Sequence, residues 1–282
     1  MSLPTADFDF IRDLVRQRAA IVLESNKEYL AVTRLEPLAR GAGLGTVSEL
    51  VSRLRSEPNS LLHERVVEAM TTNETSFFRD LHPFESLGTD VLPAVMEANR
   101  ASRVINIWSA ACASGQEPYS VAMMLGEQFP ELESWSVSIL ATDVSTTILE
   151  RAESGRFGQI EMNRGLPAHL HVKYFHRDGS HWQLDDSIRN RVRFKTLNLV
   201  NDWPILPVMD IVLLRNVMIY FDQEVRVEIL KRMRSVLRPN GFLLLGASET
   251  TSNVDEGYDR HPIGRTMWFR RKAPSFSING FS

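Results

Sequence analysis

"WSAACASGQEPYS" spans Trp108 to Ser120. Upstream, "RVINIWSA" (Arg103–Ala110) is a short apolar strand ending in small residues. Downstream, "EPYSVAMMLGEQF" (Glu117–Phe129) reads as a helix, with proline tolerated in its first turn. Strand, small-residue loop and helix form one unit of a doubly wound sheet. In such sheets ligands bind at the carboxyl ends of strands, where the strand order reverses. Ser109, Ala110, Ala111, Ala113, Ser114 and Gly115 let a ligand approach the backbone closely.

The same alternation continues along the chain. "SVSILATD" (Ser136–Asp143) is a second strand, and "TTILERAESG" a helix stopped by Gly155. "MDIVLLRN" (Met209–Asn216) is a third strand. A helix capped by Asp222 follows, with Val225, Ile229, Leu230, Met233, Val236 and Leu237 on one face, until "RPNG" ends it. "GFLLLGASE" is a fourth strand and "TMWFRRK" a fifth. The pattern predicts a mostly parallel sheet covered on both faces. Within it, "VKYFH", "HWQLD" and "NRVRFK" read as short antiparallel strands, an inserted β element over residues 166–196.

Residues 5 to 75 instead read as helices, with Ile11, Val15, Ala19 and Val22 on one face and Thr5 or Asp7 as candidate N-caps. "GAGLGT" (Gly41–Thr46) has the spacing of a nucleotide-binding loop but follows a helical stretch, so it reads as a helix–helix turn. The expected fold class is therefore α/β: a doubly wound, mostly parallel Rossmann-like sheet, an amino-terminal all-helical domain and a small inserted antiparallel β-subdomain. The expected domains are 1–75 (helical), 76–100 (linker segment) and 101–272 (sheet), with a polar, disordered tail over 273–282.

Bulk composition excludes several classes. The 282 residues are 43% hydrophobic and carry a formal net charge of -3, so no global basic field points to nucleic acid. No apolar run approaches the roughly 20 residues of a membrane span, and the first residues lack a secretory signal pattern. The lone Cys112 excludes an internal disulfide, and with seven histidines at no metal-ligand spacing no zinc site is expected. Together these facts favour the cytoplasm.

Two residues point to the ligand. Asp143, ending the second strand, is placed to accept hydrogen bonds from ribose hydroxyls; alone it is equally a helix cap. Glu117 sits in the first turn of the helix, where it repels phosphate and suits a cationic ligand. That disfavours a nicotinamide-dependent oxidoreductase. S-adenosylmethionine has the ribose, a sulfonium and an α-ammonium, and no phosphate.

"TTNETSFFRD", "WSAACASGQEPYS", "ATDVS" and "RNVMIYF", in this order, resemble the CheR-type chemotaxis receptor methyltransferases over about residues 5 to 270. The resemblance implies the S-adenosylmethionine methyltransferase type of sheet. It implies methyl transfer to glutamate side chains of bacterial chemoreceptors, with S-adenosylhomocysteine as product. Carried over by position, Asn73, Thr75 and Arg79 face the methionine end and the reacting centre, Glu117 holds the ammonium, and Asp143 binds the ribose. Asn198 and Leu199 border the adenine, and Arg215 and Asn216 form the floor. Tyr220 lies beside the methyl-transfer point, and Arg79 and Tyr220 are the catalytic candidates. "FF" at 77 and 78 reads as core packing.

The implied partner is the acidic helical bundle of a chemoreceptor, met by a monomer without nucleic acid, membrane insertion or metal. From Arg12 to Arg55 there are seven arginines and one lysine against five acids, although residues 1 to 60 balance to zero. Arg34, Arg40, Arg53 and Arg55 are the docking candidates. "HRDGSHWQLDDS" carries only Gly179 where receptor-tail-binding members have a Gly-x-Gly turn, so independence of a receptor-tail pentapeptide is expected. The competing expectation is a non-enzymatic cofactor-sensing or receptor-binding module of the same fold.

Overall fold

The computed structural model describes residues 3–272. Four helices come first: α1 (Thr5–Ala19), α2 (Glu28–Gly41), α3 (Val47–Ser56) and α4 (Leu61–Met70). Their apolar faces meet in a core of their own, which includes Phe8, Ile11, Leu35, Leu50, Leu54 and Val66. Thr5 is the first residue of α1, with Pro4 at the cap position, so neither Thr5 nor Asp7 caps it. "GAGLGT" is the expected helix–helix turn: α2 ends at Gly41, and the Thr46 side chain caps α3 by accepting the Glu49 N–H at 3.1 Å.

An irregular linker leads to α5 (His82–Ser86), a π-helical turn (Leu87–Val91) and α6 (Leu92–Ala98). The sheet domain then runs β1 (Val104–Ala110), α7 (Gln116–Gln128), β2 (Ser136–Asp143), α8 (Thr146–Ser154), β3 (Arg156–Gly158), α9 (Gln159–Met162), α10 (Ala168–Tyr174), β4 (Phe175–Asp178), β5 (His181–Leu184), α11 (Asp186–Arg189), β6 (Val192–Thr196), β7 (Met209–Leu214), α12 (Gln223–Val236), β8 (Leu237–Leu245), β9 (Tyr258–Ile263) and β10 (Thr266–Arg271). The main sheet has the order β6-β2-β1-β7-β8-β10-β9. Its first five strands are parallel, and β10 and β9 are antiparallel additions.

Successive side chains of a strand point to opposite faces. Ile105 and Ile107, Ile139 and Ala141, Ile211 and Leu213 bury in one core. The intervening Trp108 and Ala110, Leu140, and Val212 and Leu214 bury in the other. Helix α7 covers the first face with Val121, Ala122 and Leu125, and α12 the second with Ile229, Leu230 and Met233. The unbroken apolar run of β7 is thus the mark of a strand covered on both sides.

Three expectations about strands are corrected. "VKYFH" is largely helical: Val172, Lys173 and Tyr174 end α10, and only Phe175 and His176 enter β4. Val192–Thr196 does not belong to the inserted element: it pairs parallel with β2 at the edge of the main sheet. An edge strand covered on one face alternates like a small antiparallel strand, here with Val192 buried and Arg193 and Lys195 exposed. The small sheet is β3-β5-β4, and it begins upstream of residue 166, at Arg156. Strand β9 was not foreseen; its Pro262 suits an edge position. The tail expected to be disordered (273–282) lies outside the described residues.

Candidate functional site

From the β1/β7 pair the sheet is wound outward in both directions, so the strand order reverses there. A cleft of about 910 Å³, its open mouth included, lies at these carboxyl ends, within the range of small-molecule sites. All ten cofactor and catalytic candidates line it. The linker supplies Asn73, Thr75 and Arg79; α7 supplies Glu117 and the end of β2 Asp143. Asn198 and Leu199 follow β6, and Arg215, Asn216 and Tyr220 follow β7. Ala19, the last residue of α1, and Ile21 beyond it also line the cleft, so the helical domain forms one wall.

Backbone strain gathers around this cleft. Ala111 (φ 57), Ala113 (φ 48) and Asn216 (φ 58) line it in the left-handed region, as non-glycine residues rarely do. Gly115 (φ 88) caps α7, and a Cβ there would stand 3.1 Å from both Ala152 and Tyr119. The small residues of "SAACASG" therefore serve a sharp turn as well as ligand access.

Asp143 is buried, and its two oxygens accept the N–H groups of Ala113 (3.0 Å) and Ser145 (3.1 Å). Burial raises its pKa, and the N–H groups oppose that shift. Each carboxylate oxygen keeps a lone pair for a further donor, as a ribose diol requires.

Glu117 accepts the Ser109 hydroxyl at 2.8 Å and an Arg215 N–H at 2.9 Å. Arg215 also donates to Asp80 (2.7 Å) and to the Arg79 carbonyl (2.9 Å). Two carboxylates thus share one buried guanidinium, which leaves an excess negative charge. Among the described residues the buried Arg215 Nε has no partner. Such a cluster accommodates an ammonium and offers one N–H to an acceptor beside it.

Several positioning contacts were invisible in the sequence. Glu249 accepts the N–H groups of Asn216 (2.9 Å), Gly246 (2.6 Å) and Ile219 (3.2 Å), which staples the β7 loop to the end of β8. Ser120 of "EPYS" accepts the Phe78 N–H at 2.9 Å and holds the linker on α7. Asn198 donates to the Arg18 carbonyl at 2.7 Å, and the Tyr220 carbonyl accepts the Val22 N–H at 2.9 Å. Glu68 of α4 accepts Thr146 N–H (2.7 Å) and the hydroxyls of Thr146 (2.9 Å) and Thr147 (3.0 Å), closing the helical domain onto α8.

Of the docking arginines, Arg34 is committed internally. It donates to the carbonyls of Met70 (2.6 Å) and Thr71 (3.0 Å) and to the Thr72 hydroxyl (3.0 Å), which ties α2 to the end of α4. Arg53 pairs with Glu57, and Arg55 with Asp7 and the Ala6 carbonyl, both on the exposed surface. Arg40 is exposed in the last turn of α2. Phe77 and Phe78 are buried; Phe77 packs edge-on to Phe157 and Phe175. Cys112 is buried, and its thiol pKa is raised by burial, which makes it a poor nucleophile. Among the described residues no group of three His, Cys, Asp or Glu is placed to hold a metal, and no helix is long and apolar enough to cross a membrane.

These residues fit S-adenosylmethionine: a buried acid with free lone pairs for the ribose, a negative cluster for the ammonium, and an unpartnered N–H for the carboxylate. Comparison with known proteins agrees. Residues 73–265 match the family model "CheR methyltransferase, SAM binding domain", and residues 6–71 match "CheR methyltransferase, all-alpha domain". Chemotaxis protein methyltransferase 1 of Pseudomonas aeruginosa is 43% identical, over 96% of this chain and all of that one. Chemotaxis protein methyltransferase Cher2 of Pseudomonas putida is 40% identical, over 92% of this chain and 95% of that one. The crystal structure of magnesium protoporphyrin IX methyltransferase from Synechocystis with bound SAM covers 78% of this chain and 96% of its own, at 14% identity and a TM-score of 0.39, too loose to add weight. This chain belongs to the CheR methyltransferase family and is an S-adenosylmethionine-dependent methyltransferase of chemotaxis.

Proposed function

We propose that this chain esterifies glutamate side chains of chemoreceptors. One observation carries the choice of a carboxylate acceptor: among the described residues no histidine or lysine lines the cleft. Its ionisable groups are Glu117 and Asp143, already committed, the buried Cys112 thiol, Glu74, Arg79, Arg215 and Tyr220. An amine or hydroxyl acceptor must lose a proton, whereas a glutamate, with a pKa of about 4.3, is ionised at neutral pH.

The bound cofactor supplies an electrophilic methyl group on a sulfonium. The chain's tasks are to hold the incoming oxygen in line and to exclude water, and alignment alone can be worth roughly 7–11 kcal/mol. Arg79 donates one N–H to the Glu74 carbonyl at 2.9 Å and retains others to orient a carboxylate. Tyr220 lines the cleft and offers its hydroxyl to the same carboxylate. No residue acts as an essential base.

The bundle docks on the helical domain through Arg40, Arg53 and Arg55, which makes association sensitive to salt. The β4–β5 hairpin turns through Gly179 and Ser180, and receptors without a tail peptide are accepted.

Transfer of labelled methyl from S-adenosylmethionine to receptor fragments tests the reaction. Label released as methanol by mild base identifies an ester; base-stable label would rule out glutamate as the acceptor. Arg79→Ala and Tyr220→Phe are expected to lower kcat by roughly 10–100-fold while S-adenosylhomocysteine still binds. Equal loss of binding would make them binding residues only. Tight binding of a receptor-tail peptide in calorimetry would contradict tail independence.

A further inference from the structure

We propose that Asp80, acting through Arg215, sets the charge at the methionine end of the cleft and makes it selective for ligands carrying an α-ammonium. Asp80 does not line the cleft itself. Its side chain is 47% exposed, whereas that of Arg215 is 4% exposed and that of Glu117 is 11% exposed. Without Asp80, Glu117 and Arg215 are a neutral pair, and an ammonium arriving beside them gains little. With Asp80, one guanidinium is shared by two carboxylates, and the excess negative charge lies next to a poorly solvated pocket, where charges act over short range with little screening.

Geometry supports the assignment. Asp80 Oδ2 and the Arg79 carbonyl both accept from Arg215 Nη2, and Glu117 takes Nη1. This three-point grip fixes the plane of the guanidinium and leaves Nε–H as the unpartnered donor. Asp80 is held with φ 70, between Phe78 (φ 48) and Leu81 (φ 44), in a linker anchored by the Phe78–Ser120 hydrogen bond. Asp and Asn tolerate that backbone better than other non-glycine residues. The strained segment therefore places this carboxylate on Arg215. Asp80 is a positioning residue, since it acts through Arg215.

Asp80→Asn is the decisive variant, because it keeps the size and the backbone preference and removes the charge. The full chain is titrated by calorimetry with S-adenosylhomocysteine, which has the α-ammonium, and with 5′-methylthioadenosine, which lacks the amino-acid portion. Where methylthioadenosine binds too weakly to titrate directly, it is measured by competition. The expected result is a roughly 10-fold loss of S-adenosylhomocysteine affinity, no change for methylthioadenosine, and partial recovery in Asp80→Glu. Equal losses for both ligands would reduce Asp80 to a structural residue. An unchanged or improved S-adenosylhomocysteine affinity would overturn the proposal.

Discussion

Burial raises the Asp143 carboxyl above the ordinary aspartate value, near 3.9, while the backbone N–H groups of Ser145, Ala113 and Val144 oppose the rise. The sign of the consequence follows. At neutral pH the buried charge costs stability, and that cost is relieved as pH falls through the raised pKa. Over the same window the acceptor proposed for the ribose loses its charge. Affinity for S-adenosylhomocysteine is therefore expected to fall on acidification, with a midpoint above that of a solvated aspartate. Calorimetry between pH 7 and pH 4 checks this, and Asp143→Asn should bind weakly with that pH dependence removed. The place of Asp143 in the cleft was legible because it ends a strand at the carboxyl edge of the sheet. Asp80 and Glu249 were not, because their partners lie 135 and 33 residues away and no local pattern reveals such pairs. The internal partners of Arg34 were hidden for the same reason: its N–H groups serve carbonyls 36 and 37 residues on.

Elements were legible in proportion to their coverage. Strands buried on both faces announced themselves as apolar runs, whereas the edge strands β6 and β9 did not. Where elements meet at the site, spacing leaves little slack. A Cβ on Gly246 would stand 2.7 Å from a Glu249 oxygen, 2.8 Å from the Asn216 amide nitrogen and 2.9 Å from its backbone nitrogen. Gly246→Ala is expected to cost about 1–3 kcal/mol by overpacking and to lower kcat by displacing the loop that carries Asn216 and Tyr220; denaturant unfolding and initial rates measure the two effects. Thr46→Ala is the contrasting case. It removes the cap of α3, should cost about 1 kcal/mol, and should leave cofactor affinity unchanged, because α3 contributes nothing to the cleft.

Across the whole molecule, the cleft is shared between the helical domain and the sheet domain, an arrangement that motif order alone did not reveal. Glu68 bridges the two at the start of α8. Its loss removes the hydrogen bonds to Thr146 and Thr147, at about 1 kcal/mol, leaves Ser145 as the cap of α8, and loosens the closed arrangement. Glu68→Ala is expected to release S-adenosylhomocysteine several-fold faster, with a smaller change in association; stopped-flow measurement of both rates decides.

The linker that joins the two domains also lines the cleft through Thr72, Asn73, Glu74 and Thr75, and Thr72, Glu74, Asp80 and Leu81 are exposed. A bound nucleoside touches both domains and the strap between them, so it acts as mortar. At a hundred times its Kd it adds about 2.7 kcal/mol to the folded state. Proteases that cut exposed straps should therefore nick the empty chain near residues 72 to 81 and spare the filled one. Such protection would tie the lifetime of the protein to the supply of its own methyl donor.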